Sequence, residues 1–187
     1  MDGYELQRLL QNRPVGWGAV GVCYPSVING VQVAVKVCEW IRDEDGVEEM
    51  DNEVHIYKVL RPLQGKVVPH FYCCQTYGPV KVLIMSLIKG GKMWRPALDP
   101  RRIYERKVVP ALKTISELNV VHNDMRCENI MIQNSPPRVW IIDFGRAEVD
   151  DREEAKREMI CEALDEIKTA WEFHEVLKQR KEEKRGR

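Results

Sequence analysis

The amino-acid sequence predicts an α+β protein of two lobes, an antiparallel sheet followed by a smaller helical part. The first observation is a pair of β-rich runs, GVCYPSVI and VQVAVKVCEW, separated at Asn29-Gly30. That dipeptide is typical of two-residue β-hairpins. The second is the order of the patterns that follow, which runs helix, strand, strand, helix. The third is an apolar stripe at helical spacing from Met159 to Val176, which predicts a closing helix.

Each element between these landmarks has its own signal. Apolar residues over 47–60 recur mostly at helical spacing, and Pro62 closes that helix. Two strands are predicted next, in VVPHFYCCQTYG and VKVLIMSLIKGG, the second ending at a Gly pair. The segment 99–119 predicts a helix that Asp99 caps and that is kinked or broken at Pro110.

The remaining patterns complete the second lobe. A strand IMIQ, a Pro-Pro turn and a strand RVWIIDF predict a second, smaller hairpin ahead of the closing helix. We expect an N-terminal lobe over 1–88 and a reduced C-terminal lobe over 89–177. The last segment, 178–187, contains no apolar residue, which predicts a frayed helix end or a charged tail.

Composition bounds the classes of function. The chain has 187 residues and 44% hydrophobic content, enough for one sizeable core. Its 29 basic and 29 acidic residues cancel, which argues against a general attraction to nucleic acid or to an anionic membrane. Six cysteines without CxxC or zinc spacing fit reduced thiols, and no signal or membrane-spanning segment is visible. We therefore expect an intracellular protein, cytoplasmic or nuclear.

The stretch GWGAVG, at 16–21, has the GxGxxG spacing, which alone is a weak signal because a dinucleotide-binding turn shares it. In a dinucleotide fold the third glycine opens a helix, whereas a hairpin pattern follows here. A glycine-rich strand turn lets backbone N–H groups approach phosphates without an intervening Cβ. The context therefore favours a phosphate-covering turn.

Lys36, in VAVK, and Glu53, on the next predicted helix, each have two interpretations. An exposed strand lysine and a solvated helix glutamate are the simpler ones. Alternatively, the two side chains form an ion pair that fixes the ammonium against a phosphate.

The stretch VVHNDMRCENIMI, at 120–132, places Asp124 and Asn129 between two apolar runs, and IIDFG with Asp143 follows. If the neighbouring strands pair as a hairpin, the two acids and the amide lie close together. Such oxygen ligands suit Mg²⁺, and a further carboxylate can orient a hydroxyl for attack on a phosphoryl group.

Taken in order, these motifs resemble those of the protein kinase family. They are GWGAVGVCY for the glycine-rich loop, VAVK for the strand lysine, NEVHIYKVL for the helix glutamate, LIMSLIKGG for the hinge, HNDMRCEN for the catalytic loop and DFG for the metal-binding segment. The resemblance covers about 15–147. It implies a two-lobe protein-kinase-like α+β fold, with a five-stranded antiparallel N-lobe sheet and an abbreviated helical C-lobe.

The resemblance also implies roles for single residues, with ATP and Mg²⁺ as cofactors. Lys36 would hold the α/β-phosphates and pair with Glu53, while Asn129 and Asp143 would hold Mg²⁺. Asp124 would accept or orient the proton of the substrate hydroxyl. The glycines expected to cover the ATP phosphates are Gly16, Gly18 and Gly21.

Further roles concern the adenine and the transferred phosphate. Arg126 stands where such enzymes often carry a Lys near that phosphate. His122 and Phe144 are expected to support the catalytic loop by packing. The side chains expected around the adenine are Cys23, Ala34 and Met131, and the hinge backbone expected at its edge is that of Ser86, Leu87 and Ile88.

Two departures from the family concern regulation and substrate. Asn123 stands where many protein kinases have Arg, so we expect no control through an activation-loop phosphate read by that Arg. No APE follows DFGRAEVDD, and few apolar residues remain for the large helices of an ordinary second lobe. The peptide-docking platform is therefore expected to be absent or reduced.

Three functions stay open at this point. The first is an atypical Ser/Thr protein kinase acting on a protein substrate. The second is a small-molecule phosphotransferase, similar to aminoglycoside or choline kinases. The third is a kinase-like interaction module that binds nucleotide, or nothing, and acts through a partner chain. The sequence predicts no membrane contact, and nucleic acid only through the charged tail.

Overall fold

A five-stranded antiparallel sheet forms the first lobe, as the sequence predicts. The computed structural model describes residues 7, 9–17, 20–39, 44–92, 104–134 and 137–185. The five strands are β1 Gly16–Trp17, β2 Val22–Ile28, β3 Val31–Glu39, β4 Phe71–Tyr77 and β5 Val80–Ser86, in the spatial order β1-β2-β3-β5-β4. Asn29 and Gly30 turn β2 into β3 with φ of 50° and 78°, the left-handed values that this two-residue turn requires.

One helix packs on the sheet, and one predicted strand end is wrong. Helix α1, Glu44–Val59, begins earlier than the predicted 47–60 and ends before a 3₁₀ turn at Arg61–Leu63. Strand β5 stops at Ser86, short of the Gly pair predicted as its end. Its paired register with β3 ends there, at Val33, and the next residue keeps a single bond to β3, from the Leu87 N–H to the carbonyl of Gln32.

The second lobe starts, in its described part, with an irregular helix. A π-helical turn at Tyr104–Val108 leads into helix α2, Val109–Ser116. Pro110 lies in the first turn of α2, where a missing N–H costs no hydrogen bond, so the predicted irregularity falls at this junction. The predicted cap Asp99 lies outside the described residues.

Short strands surround the segment that the sequence singles out. Two-residue strands β7, Val120–Val121, and β10, Glu148–Val149, pair with each other. Between them in the chain lie a 3₁₀ turn at Cys127–Asn129 and two strands that join an earlier strand in a three-stranded sheet, in the order β6-β8-β9. Its strands are β6 Gly91–Lys92, β8 Ile130–Asn134 and β9 Pro137–Ile141.

The hairpin of β8 and β9 is confirmed, but its second strand ends before the predicted residue 144. Asp143 has φ of 68°, a left-handed conformation that cannot continue a strand. The chain therefore leaves the sheet at Asp143, and this turn directs the DFG segment back toward the first lobe.

The closing helix is longer than its apolar stripe. Helix α3 runs over Glu153–Arg185 and so includes most of the segment predicted as a frayed helix end or tail. Lys, Arg, Glu and Gln dominate that segment, and all four are good helix formers, which lets the helix outrun its apolar face. No helix in the described part of the chain has both the length and the apolar character needed to cross a membrane.

A single large core joins the sheet to the helices. On one face of β3 and β5 it includes Ala34 and Leu83, on α1 Tyr57, and on α3 Met159. The opposite face of the sheet carries a smaller cluster formed by Val33, Val35, Val82 and Ile84 under Leu9. Alternate residues of β3 therefore face different clusters, and this alternation turns Lys36 toward the large core.

Candidate active site

Lys36 is a buried lysine in the middle of a strand. Its neighbour Val35 faces the small cluster, so Lys36 shares the face of Ala34 and Cys38. Only 7% of its surface is exposed. A buried ammonium is costly unless charged or hydrogen-bonding partners surround it. The interpretation as an exposed strand lysine is therefore wrong.

Two carboxylates from distant parts of the chain meet this ammonium. Lys36 Nζ lies 2.7 Å from Glu53 Oε2 on α1 and 2.6 Å from Asp143 Oδ1 beyond β9. The side chain of Glu53 is 1% exposed and that of Asp143 29% exposed. We call these three residues the Lys36 cluster. It joins the strand, the helix and the DFG segment at one nitrogen atom.

The two neighbouring carboxylates keep the Lys36 ammonium protonated. Burial acts to lower the pKa of Lys36, but the nearby carboxylates of Glu53 and Asp143 outweigh it and raise the pKa. Burial would likewise raise the pKa of Asp143, yet Lys36 holds it below its usual range. For Glu53 burial dominates and raises the pKa, with Lys36 opposing. When both carboxylates are ionised, one ammonium serves two of them, which leaves net negative charge for a cation to compensate.

His122 packs against Phe144 of the DFG turn. The two rings lie 4.7 Å apart between centroids, and both side chains are fully buried. Burial lowers the pKa of His122, which keeps the imidazole neutral, and Nε2 lies 3.1 Å from the carbonyl oxygen of Ile142. The backbone N–H of Ile142 in turn donates to the carbonyl of Asn129 at 3.0 Å. The packing role expected for both rings agrees with these contacts.

Asp124, Arg126 and Asn129 form a second group, which we call the Asp124 cluster. Asn129 Nδ2 donates to the backbone oxygen of Asp124 at 2.8 Å and to its Oδ2 at 3.0 Å. The Arg126 guanidinium contacts both oxygens of the same carboxylate, Oδ1 at 2.9 Å and Oδ2 at 3.0 Å. Arg126 also helps to lower the pKa of Asp143. The carbonyl of Asn129 accepts a bond from the N–H of Ile142, the residue before Asp143, so the two clusters adjoin.

The structure describes two glycines of the predicted phosphate-covering turn, Gly16 and Gly21. They differ in whether the backbone would tolerate a side chain at that position. Gly21 has φ of 71°, and a Cβ there would lie 2.0 Å from the carbonyl oxygen of Val37. Gly16, in β1, has open space around it. Gly18 lies outside the described residues. The backbone of β2 can thus approach β3 only because residue 21 has no side chain.

The residues predicted around an adenine fall on three strands of two sheets. Cys23 pairs with Lys36, and Ala34 with Met85, so both residues lie on the core face of the sheet beside the ammonium. Met131 is half-buried on β8, in the separate small sheet. Two of the residues predicted around an adenine thus lie on the large sheet and the third on the β8–β9 hairpin.

The hinge has a specific pattern of backbone donors. The N–H of Ser86 donates to His70 at 2.8 Å, and the N–H of Leu87 donates to Gln32 at 3.3 Å. Ile88 accepts a bond from Gly90, but within the described ranges its own N–H donates to no residue. Of the three hinge residues predicted from the sequence, Ile88 is the one whose N–H has no acceptor among the residues that the structure describes.

The sequence reasoning missed Asn52 as a functional residue. Its Nδ2 donates to the backbone oxygens of Gly145, at 2.9 Å, and Ala147, at 2.7 Å. Glu49, one turn earlier, accepts from Arg146 Nε at 3.0 Å. The available signal was helical spacing, because Glu49 and Glu53 lie four residues apart on one face of α1, with Asn52 beside them. These contacts hold the segment after the DFG turn against α1.

The donor set fits a magnesium ion only in part. Among the described residues, no group of three or more His, Cys, Asp or Glu side chains is placed to hold a metal. Asp143 offers a carboxylate, and Asn129 offers its amide oxygen because the amide nitrogen is used by Asp124. Mg²⁺ is commonly held by one or two carboxylates together with phosphates and water. The residues present therefore fit a metal that arrives with a nucleotide.

Comparison with known proteins gives the family. The protein kinase domain model matches residues 9–170. The chain is similar to the serine/threonine-protein kinase KIC1 of Saccharomyces cerevisiae, at 30% identity over 71% of this chain and 13% of that protein. It is also similar to mitogen-activated protein kinase kinase kinase 15 of Mus musculus (25% identity, 70% of this chain, 10% of that protein) and to mitogen-activated protein kinase 4 of Homo sapiens (26%, 87% and 30%).

The chain therefore spans less than a third of the length of each of these relatives. The family model, in contrast, matches most of this chain, including both clusters and the hinge. Together with the motif order and the geometry at Lys36, this match establishes that the chain belongs to the protein kinase family.

Proposed function

We propose that this chain transfers a phosphoryl group from Mg·ATP to a hydroxyl, and that the acceptor is a Ser or Thr side chain of a protein. Protein kinases generally use ATP and Mg²⁺, and the relatives named above are protein kinases. The single observation that carries the proposal is the position of Lys36 Nζ between Glu53 and Asp143. An ammonium fixed in this way is ready to receive phosphate oxygens.

The remaining steps fall to the Asp124 cluster and to the nucleotide-binding segments. Asp124 accepts or orients the proton of the attacking hydroxyl, and Asn129 holds its carboxylate in place. Gly16, Gly18 and Gly21 cover the phosphates, while Cys23, Ala34 and Met131 enclose the adenine. The hinge contributes through Ser86 and Leu87, and through the N–H of Ile88.

Asn129 and Asp143 would hold Mg²⁺, whose chemistry is to neutralise charge on the phosphate oxygens. Lys36 orients those oxygens from the opposite side. Phosphoryl transfer depends mainly on positioning and on electrostatic stabilisation, and the two adjoining clusters supply both.

The test measures Mg·ATP binding and phosphate transfer to Ser/Thr peptide pools separately. We expect Asp124→Ala to bind Mg·ATP but to lose transfer by about 10²- to 10⁴-fold. Asp143→Ala should weaken Mg·ATP binding as well. Asp165→Ala, which removes an exposed carboxylate on α3, is the matched control and should behave as the wild type. Turnover unchanged by Asp124→Ala would exclude the proposed mechanism.

A second candidate function is a nucleotide-binding interaction module without turnover. The observation that favours it is the Arg126 guanidinium, which contacts both oxygens of the Asp124 carboxylate and competes with a substrate hydroxyl. In that case the wild type binds Mg·ATP without transfer, and Asp124→Ala leaves binding unchanged. Transfer to free aminoglycoside or choline instead of peptides would indicate a small-molecule phosphotransferase.

A further inference from the structure

A cavity of about 460 Å³ lies outside the proposed catalytic site. Its floor comes from the turn after α1 and from the start of β9, and helix α2 forms its side. None of the predicted nucleotide, metal or catalytic residues lines it. The volume falls within the roughly 300–1,000 Å³ typical of ligand pockets. The cavity is thus large enough to hold side chains of another molecule.

Four cationic side chains line this cavity. Lys66 comes from the turn, Arg106 and Lys107 from the π-helical turn before α2, and Arg138 from β9. All four are exposed. Within the described ranges none of them forms an ion pair with a carboxylate, and Lys66 Nζ bonds only a backbone oxygen, that of Pro62, at 3.1 Å. In a chain whose total charge is zero, four cations around one cavity, none paired with a carboxylate in the described part of the chain, are a local feature that an anionic partner would stabilise.

The floor of the cavity is rigidly held. Gly65 has φ of 74°, and a Cβ there would lie 2.2 Å from the His70 ring nitrogen Nε2. The Gly65 N–H donates to Val68 at 2.8 Å, and the carbonyl of Val67 accepts from Ile141 at 2.8 Å. The turn that carries Lys66 is therefore held by one hydrogen bond within the turn and by another from β9. A preorganised surface of this kind lowers the entropic cost of binding.

Apolar groups lie between the cations. Val67 and Val139 belong to the floor, and Pro110 and Ala111 to the helix side. A small anion or a polyphosphate has nothing to place against these groups. An acidic peptide with an apolar residue between its carboxylates matches both parts of the lining.

We propose that this basic cavity, defined by Lys66, Arg106, Lys107 and Arg138, docks an acidic linear segment of a partner protein, with an apolar side chain inserted between the flanking carboxylates. This docking does not depend on phosphoryl transfer, because no residue is shared with the proposed catalytic site. It gives the chain a way to hold a protein away from the reacting atoms.

The test uses fluorescence anisotropy with a short labelled peptide in which Glu residues flank a central Leu pair. We expect binding in the roughly micromolar range, weakened by added salt. Arg138→Glu and the double variant Arg106→Glu/Lys107→Glu should each lower affinity by about tenfold or more. Lys113→Glu makes the same charge change at an exposed position of α2 outside the lining, so it should stay within about twofold of the wild type.

Two altered peptides separate the parts of the site. Replacing Glu by Gln should abolish binding, and replacing the Leu pair by Ser should weaken it. Equal affinity of the wild type and Arg138→Glu would overturn the proposal. So would tight binding of an oligonucleotide or of polyphosphate at the same residues without peptide binding, which would indicate a general anion site. Self-association that Arg138→Glu removes, with no peptide bound, would identify a second copy as the occupant and overturn it too.

Discussion

The Lys36 cluster and the Asp124 cluster adjoin, yet they hold their charges in opposite ways. In the first, an almost fully buried lysine meets a glutamate that is 1% exposed. In the second, an arginine that is 48% exposed contacts an aspartate that is 17% exposed, so the contrast lies in the cation. Buried charges are strongly coupled and costly to separate, whereas exposed pairs contribute little to stability. We therefore expect the first cluster to contribute more to the stability of the fold, and the exposed arginine of the second to leave its aspartate at little cost.

The largest expected effect tests the buried side of this comparison. Lys36→Met should lower the free energy of unfolding by about 3–5 kcal/mol, because it leaves Glu53 and Asp143 as uncompensated neighbours. The measurement is urea unfolding at neutral pH. Lys81→Met is the matched control, since Lys81 is also a largely buried strand lysine but its partner, Asp51, is 64% exposed. Equal losses of unfolding free energy in Lys36→Met and Lys81→Met would show that the burial of the carboxylate partners does not matter.

The next effect concerns the link between α1 and the DFG segment. Asn52→Ala removes two hydrogen bonds to backbone oxygens and should cost about 1–3 kcal/mol of unfolding free energy, with slower phosphate transfer. Asn12→Ala removes one exposed bond, to Pro25, and should cost about 1 kcal/mol or less without affecting transfer. A transfer rate unaffected by Asn52→Ala would show that α1 does not position Asp143 through this residue.

A smaller effect is a pH dependence of the unfolding free energy that arises from the buried His122. Because burial lowers the pKa of His122, the unfolded chain takes up a proton that the folded chain does not. The contribution to stability is complete above about pH 6.5 and is lost as the pH falls below it. Urea midpoints at about pH 7.5 and about pH 5.5 should therefore differ more in the wild type and in exposed His55→Gln than in His122→Gln. If the two urea midpoints differ by the same amount in His122→Gln as in the wild type, this expectation is contradicted.

The smallest expected effect on stability concerns the exposed arginine of the Asp124 cluster. Arg126→Ala should change the unfolding free energy by about 1 kcal/mol or less, although it should alter phosphate transfer. Arg152→Ala makes a matched change, because Arg152 is 72% exposed and also binds an aspartate two residues away, Asp150. It should leave transfer unchanged. A stability loss at Arg126 comparable to that of Lys36→Met would break the contrast between the clusters.

The sheet was predictable from the sequence because local signals fix it. The Asn29-Gly30 turn and the alternation around Lys36 set strand positions that the structure confirms. The end of β9 was not predictable, because it depends on the left-handed conformation of Asp143, which distant contacts impose. The motifs identified Lys36 and Glu53, but their burial and the bond to Asp143 depend on tertiary packing. Asn52 was missed because helical spacing places it beside Glu49 and Glu53 but does not show its bonds to backbone oxygens.

The contact between Lys36 and Asp143 also has a consequence for the order of folding. Lys36 and Glu53 are 17 residues apart, whereas Lys36 and Asp143 are 107 apart. By loop-closure entropy alone the second contact costs about 1.6 kcal/mol more to form. The sheet and α1 can assemble from nearby pairings, whereas the DFG segment must be brought in from the second lobe. We therefore expect the ammonium to gain its second carboxylate after its first, so the Lys36 cluster is complete only once both lobes have come together.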